Sequence, residues 1–414
     1  MELFNKNGIN ILLEDAPKTP RYSVQFIFKV SKKQKYFGIN SLLARLLLQG
    51  TKKYTAANLA SLFEEECIDV TTKSKQDYTK ISLTFLKEDF KKAMELVKDL
   101  IINSTFDDFE KEIYKIKGDI TSDLDSPKVK MTDLFVKAIY KNHPYAETYT
   151  NILEDLDKIT KEDIIEAHKE MLNSTKTIVI VGDFDNKEEI LSYFENNFDF
   201  MKTNVLEDEI QNVFSNNLEK DEYHWISKND AKQAQIIQGC PIESFNSELC
   251  AKISVMNTIL GSCGLSSRMF VNLRDKQGLA YNVRSQYDTM LHSAIFNMYI
   301  GTMPKNIKKS LEGFKLELEK LANTEVSDEE LQGAKENISG KMKYFSQTNS
   351  QIASIQGYNF IMGLGLNYKE LFLDDVFNVS KKDILFIASK ILNTKKTTVI
   401  VAPDEYKKEI QDLL

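Results

Sequence analysis

Arg274 and Tyr281 are the side chains whose types and spacing best suit work on a peptide bond. A guanidinium presents its donors in a fixed planar fork, and a phenol beside it adds one more. Together they could hold a peptide carbonyl, or the oxyanion formed when that carbonyl is attacked. An arginine near a helix C-terminus beside a half-buried tyrosine reads equally as plain structure. The elements that must position the pair are legible around them. Gly261 and Gly264 bracket a tight turn, and Ser266 or Ser267 is placed to cap the helix that follows. Phe270 and Leu273 give that helix a short apolar stripe, and Gly278 is placed to end it, since glycine enters the left-handed conformation cheaply. Leu279 to Tyr287 reads as a strand. Arg274 thus falls in the last helical turn and Tyr281 just past the stop, so both can converge on one patch.

A chain of 414 residues is too long for one ordinary core, so two domains or more are expected. Its 42% hydrophobic and 28% charged residues are those of a soluble globular protein. A net charge of −7 and a pI near 5.5 argue against a nucleic-acid partner. Lys32 to Lys35 is a short basic run that reads as a solvated loop after a strand. Cys67, Cys240, Cys250 and Cys263 lack C-x-x-C spacing and read as free thiols. The first residues lack a signal-peptide pattern, and no apolar run is long enough to span a bilayer, so a cytoplasmic protein without membrane insertion is expected. His143, His168, His224 and His292 share no ligand spacing, and there is no nucleophile elbow, P-loop or dinucleotide fingerprint. Gly357 to Gly365 is too apolar for phosphate and is expected to pack between helices.

Period-two alternation predicts strands at 9–13 and 23–30, the second with Val24, Phe26, Phe28 and Val30 on one face. An apolar helix is predicted over 39–49, another from Thr55 or Asn58 towards Glu66, and two strands between Ile68 and Phe85. Amphipathic helices follow over 89–102, 106–124 and 127–141, then a helix from Lys161 and a buried strand at 177–181. The segment from Thr160 to Val181 aligns without a gap on Ser380 to Val401: Asp163 matches Asp383, Asn173 matches Asn393 and Val181 matches Val401. The span 201–223 is rich in Asn, Asp and Glu and reads as a linker. The expected architecture is α+β: two homologous lobes, 1–200 and 224–414, each a mostly antiparallel sheet with helices packed on one face.

The strings Ser266-Ser-Arg-Met-Phe270 and Leu273-Arg-Asp-Lys-Gln-Gly-Leu-Ala-Tyr281 resemble the second-half signature of the insulinase/pitrilysin metallopeptidases, the group that includes mitochondrial processing peptidase. In that family the matching Arg and Tyr reach across and help bind substrate at a zinc site. The resemblance covers essentially the whole chain. It implies two such lobes, usually paired with a second two-lobed chain to enclose a chamber.

Gly38 to Thr51 is where an active family member would read Gly-x-x-His-x-x-Glu-His-x-x-x-x-Gly-Thr. The two His would share a helical face and bind zinc while the Glu activates water. Gly38, Gly50 and Thr51 fit, but the three chemical positions hold Ser41, Ala44 and Arg45. A hydroxyl is a poor zinc ligand, alanine takes no proton, and a guanidinium repels a cation. Counting back from Asp125-Ser-Pro127 puts the family's third ligand at Asp119, a possible remnant, with Glu112 as the earlier acid. No zinc is expected on this chain alone. The resemblance implies a non-catalytic subunit of a heterodimeric zinc metalloendopeptidase, whose homologous partner holds the intact zinc motif. This chain would lend Arg274 and Tyr281 to an extended peptide substrate. The alternative is a scaffold homologue without a role in proteolysis, like the core subunits of the respiratory bc1 complex. The regulatory subunit of mitochondrial processing peptidase fits less well, because its glycine-rich loop is reduced here to Gly261-Ser-Cys-Gly264.

Overall fold

The computed structural model describes residues 1–16, 20–203, 208–213, 218–408 and 410. Parts of the expected linker, 204–207 and 214–217, lie outside the described residues. In chain order the first sheet takes β1 (Glu2–Lys6), β2 (Ile9–Asp15), β3 (Arg21–Lys29), β4 (Asp69–Ser74), β5 (Tyr78–Leu86) and β6 (Lys176–Gly182). The second takes β7 (Glu222–Ser227), β8 (Ala234–Ile242), β9 (Ala280–Thr289), β10 (Ala294–Thr302) and β11 (Thr397–Ala402). Their orders are β1-β2-β6-β3-β5-β4 and β7-β11-β8-β10-β9. One pairing in each sheet is parallel, β2 with β6 and β7 with β11, and the rest are antiparallel. The fold is therefore α+β with two mostly antiparallel sheets, as expected.

Fourteen α-helices are described: α1 (Ile39–Leu46), α2 (Ala56–Glu65), α3 (Phe90–Asn103), α4 (Phe109–Leu124), α5 (Pro127–Tyr140), α6 (Tyr149–Leu156), α7 (Lys161–Asn173), α8 (Lys187–Asn197), α9 (Cys250–Asn257), α10 (Ile307–Asn323), α11 (Asp328–Tyr344), α12 (Asn349–Ile361), α13 (Tyr368–Asn378) and α14 (Lys381–Asn393). The aligned segments start α7 and α14 in the same way. Thr160 and Ser380 each accept the N–H of an Asp three residues on, and that Asp reaches back to the capping residue's N–H. They also end alike: buried Lys176 donates to the carbonyls of Leu172 and Ser174, and Lys396 to those of Leu392 and Thr394. Each ammonium thereby satisfies carbonyls that the helix end leaves free. Sequestering Lys176 from water pushes its ammonium down to about 8.

The chain divides into two compact units. One holds 1–120, 150–210 and 343–368; the other holds 121–149, 211–342 and 369–414. In the first unit, Phe26 points into a helical layer, stacking on Phe198 at 5.6 Å, while Tyr22 meets Phe90 of α3 edge-on at 5.7 Å. The opposite face is covered by α12, which the sequence places far along the chain. Gln25 of β3 donates to Ser354 Oγ at 2.8 Å, and Tyr78 of β5 meets Tyr358 edge-on. Gly357 was expected between helices. It instead lets α12 lie on the sheet, for a Cβ there would come within 2.4 Å of Ile27 and 2.8 Å of Val179. In the second unit α5 packs on β8 and β11, and its Lys128 stands over the Tyr299 ring of β10. Helices were expected on one face of each sheet, but both faces are covered, which leaves β3, β6 and β10 almost wholly buried.

Gly357→Leu should cost about 2–3 kcal/mol by overpacking. Gly340→Ala in α11, where nothing lies within 4 Å of the added carbon, should gain up to about 1 kcal/mol from helix propensity. Urea midpoints of the two variants check both signs.

Candidate functional site

The segment carrying Arg274 does not form the expected regular α-helix. Phe270–Asp275 is π-helical, with Lys276 N–H bonded to Val271 O, and Thr258–Ser262 before the loop is π-helical too. Such widened turns are rare and recur at functional sites. The expected cap at Ser266 or Ser267 is not made. Ser267 is buried and its Oγ donates to Gly264 O at 2.8 Å, which closes the loop, while Ser266 Oγ meets Cys263 Sγ. Gly264 and Gly278 have positive φ (82° and 62°), and Gly278 ends the helix as expected. Gly261 serves a different need. It sits in the first π-helical segment, where a Cβ would fall 2.4 Å from Ser285 N on β9.

The inward stripe is Met269 and Leu273, both fully buried, rather than Phe270 and Leu273. Leu273 sits over Gly313 of α10, where a Cβ would approach it to 2.6 Å. Two acids hold the segment. Glu330 takes a two-pronged bond from Arg268 (2.8 and 2.9 Å), and buried Glu317 accepts from Asn272 at 2.9 Å. The Arg268 guanidinium holds the Glu330 carboxyl below its usual range, so this tie is intact at neutral pH and is lost only as acid protonates it.

With its neighbours so fixed, Arg274 and Tyr281 do come together. The guanidinium carbon lies 4.4 Å from the Phe270 ring centre and 5.2 Å from that of Tyr281. Tyr281 is 80% exposed. Phe270 is thus part of the site rather than of the core. Its spacing four residues before Arg274 was the available signal, since such residues are neighbours on a helical surface. Among the described residues Arg274 makes no ion pair, so its N–H rim is left for a ligand. Beside it runs a cleft of about 500 Å³, lined by Gly261, Gly264, Phe270 and Arg274 on one side and by β9 residues 282–288 on the other. Since β9 pairs only with β10, it is an edge of its sheet.

The other candidate positions lie on α1 and α4. Gly38, at φ 89°, precedes α1, and Thr51 Oγ1 donates to buried Asp99 at 2.5 Å, anchoring the loop that follows. Ala44 is buried and its carbonyl accepts from Thr72 of β4, while Ser41 is half-buried. Arg45 Nη2 lies 2.9 Å from Asp119 Oδ2, so the two positions face one another across α1 and α4. Glu112 is buried against Lys115.

Comparison with known proteins fits this arrangement. Residues 11–151 match the family description "Insulinase (Peptidase family M16)", and 158–338 match "Peptidase M16 inactive domain". The chain belongs to the insulinase-like peptidase family. Its relatives include an "uncharacterized zinc protease" of Rickettsia felis, 24% identical with 97% of each chain covered. Another is the "non-peptidase homolog YmxG" of Helicobacter pylori, 25% identical over 92% of this chain and 88% of that one. A solved structure of a peptidase M16 inactive domain from Pseudomonas fluorescens superposes with a TM-score of 0.86 at 20% identity, covering 97% of this chain and 98% of that one.

The resemblance led us to expect a zinc motif at these positions on α1 and α4, and the residues present do not fit a zinc ion. Arg45 brings a positive charge to the carboxylate that a metal would need. Ser41 and Ala44 offer no nitrogen or carboxylate donor. Among the described residues no three His, Cys, Asp or Glu side chains gather into a group that could hold a metal. The histidines are used elsewhere: His143 accepts from Tyr145 N–H, His168 bonds the Ile101 carbonyl, His292 bonds Asn212, and His224 lies 3.8 Å from Glu222. Among the described residues no helix is long and apolar enough to cross a membrane.

The Arg45–Asp119 contact brings the two expected motif positions within reach of one another. The triple variant Ser41→His, Arg45→His, Asp119→Glu should therefore bind zinc at one ion per chain, measured by elemental analysis after dialysis. Metal-free triple variant of native fold would show that the two helices no longer stand at ligating distance.

Proposed function

We propose that this chain is the substrate-gripping, non-hydrolytic subunit of a two-chain zinc endopeptidase. The observation that carries the reading is Arg274. It is held on two aromatic faces with its donors unspent, beside an exposed tyrosine hydroxyl and an open strand edge, in a chain whose zinc positions are closed by an ion pair. An extended peptide lies along β9 and adds to the sheet through its main chain. Arg274 and Tyr281 donate to one of its carbonyls, and their bonds shorten as negative charge builds on that oxygen. The homologous partner supplies His-x-x-Glu-His, the third Glu and the metal, and the attack is its work. The names of the relatives, one a zinc protease and one a non-peptidase homologue, accord with a family that contains both kinds of chain. A scaffold would have no use for an unpaired guanidinium.

Alone, the chain should hold no stoichiometric zinc and hydrolyse no peptide; one tightly bound zinc per purified chain would overturn the reading. Mixed with a zinc-motif partner it should support peptide hydrolysis. In that mixture Arg274→Ala or Tyr281→Phe should raise the barrier by about 2–4 kcal/mol in kcat/KM. Tyr281→Phe is the sharper variant, since it keeps the ring against Arg274 and removes only the hydroxyl. Wild-type turnover in both variants would remove their assigned role.

A further inference from the structure

The cleft beside β9 gathers more positive than negative charge: two arginines line it with one carboxylate, Asp288, which attracts Arg284. The chain has only five arginines, yet two of them, Arg274 and Arg284, line this one cleft. Arg284 stands opposite Tyr299 in the β9–β10 register, with its guanidinium 5.3 Å from that ring. Its Nε is buried and has no hydrogen-bond partner. The Lys128 ammonium lies 5.1 Å from the same ring. Among the described residues neither Arg284 nor Lys128 makes an ion pair, although the chain carries a net charge of −7. Asp288 is the one carboxylate among the described lining residues, and it accepts from Asn297 at 3.4 Å. The Nη groups of Arg284 are not closed off as its Nε is and make no hydrogen bond among the described residues, so a ligand can supply their acceptor.

Strand geometry says where that acceptor would come from. Side chains on a strand alternate between faces, and a residue added opposite Arg284 places its Cβ about 5 Å away on the same face. Val283 and Ser285 are buried towards the core, so Arg284 faces the other side, where Tyr299 and Lys128 are. We infer that Arg284, supported by Lys128, makes the β9 edge selective for extended peptides with an acidic side chain at the position paired with it. This rests on the strand addition proposed above and names the substrate class that it takes.

The test uses binding to the full chain without a partner. The probes are short fluorescent peptides with amidated C-termini, one set carrying a single Glu walked along the sequence and a twin set carrying Gln. Amidation leaves the side chain as the only carboxylate. The best-placed Glu peptide should bind about three- to fivefold more tightly than its Gln twin at low salt, with the ratio shrinking as salt screens it. Arg284→Gln should bring the ratio to about one, while Arg284→Lys should keep part of it. Arg274→Ala should weaken both peptides alike. Equal binding of the twins by the wild-type chain would overturn the inference, as would a ratio unmoved when Arg284→Gln and Lys128→Gln are combined. An oligonucleotide that binds more tightly than every Glu peptide would also overturn it. Binding of neither set removes strand addition along with the selectivity. A chain that prefers the Glu peptide yet never supports hydrolysis with a partner keeps the inference and loses the peptidase reading.

Discussion

On the function proposed above, the contact between Arg45 and Asp119 is the constraint from which the rest follows. Both side chains are substantially exposed, at 42% and 59%, so the pair adds only about 0.2–1 kcal/mol to stability. Its consequence is chemical rather than energetic. Asp119 has one charge to give, and a guanidinium already takes it in the geometry that a dication would require. The neighbouring positions reinforce this: Ala44 is buried with no group to accept a proton, and the earlier acid of α4, Glu112, is committed to Lys115. On the proposed reading, this chain's part in peptide chemistry then comes from groups that work without a metal of its own.

Arg274 is such a group, and the second unit is built so as not to neutralise it. Two carboxylates that flank the segment are spent on other side chains: Glu330 on Arg268, Glu317 on Asn272 and Lys320. These bonds fix the backbone on either side of Arg274 and leave its own charge alone. The rings of Phe270 and Tyr281 then restrain the guanidinium through its faces. The widened π turn lets the chain reach the Gly278 stop with Arg274 and Tyr281 on the same side. A fixed donor with an unspent rim is what stabilisation of a developing charge requires, because no reorganisation is then needed when the charge appears.

Much of this was legible in the residues, and the omissions have physical causes. Alternation located most strands, and the capping boxes at Thr160 and Ser380 appeared as matched Asp positions in two aligned segments. Gly278 marked its own turn because few other residues take positive φ. The edge strand β1, the helices α6 and α8, and in the second half β7, β8, β10 and α9 to α13 were not located individually. The π-helical segments were invisible because local sequence does not distinguish a widened turn from an ordinary one. Ser267 looked like a cap, yet its hydroxyl donates to Gly264 O instead of accepting a helix N–H, a choice set by the loop rather than by residue type. Nor could periodicity say which sheet an apolar helix would cover. α12 shows no clear apolar stripe in the sequence, and the strand that its Ser354 meets lies more than three hundred residues away.

The use of arginine along β9, in a chain otherwise so rich in lysine, follows from the same geometry. An ammonium held over a ring turns part of its donor set towards the π face, and its charge is compact and strongly hydrated. A guanidinium is flat. Held over Tyr299, or over Phe270 and Tyr281, it can rest its faces on carbon while its N–H groups stay in its own plane. Stacking thus restrains the side chain without consuming a hydrogen bond. The ligand atoms such a rim can grip two at a time are oxygens in a plane, those of a carboxylate or a pair of main-chain carbonyls. Both arginines of the cleft are held in this way, and both therefore point to a ligand that brings oxygen to a strand edge.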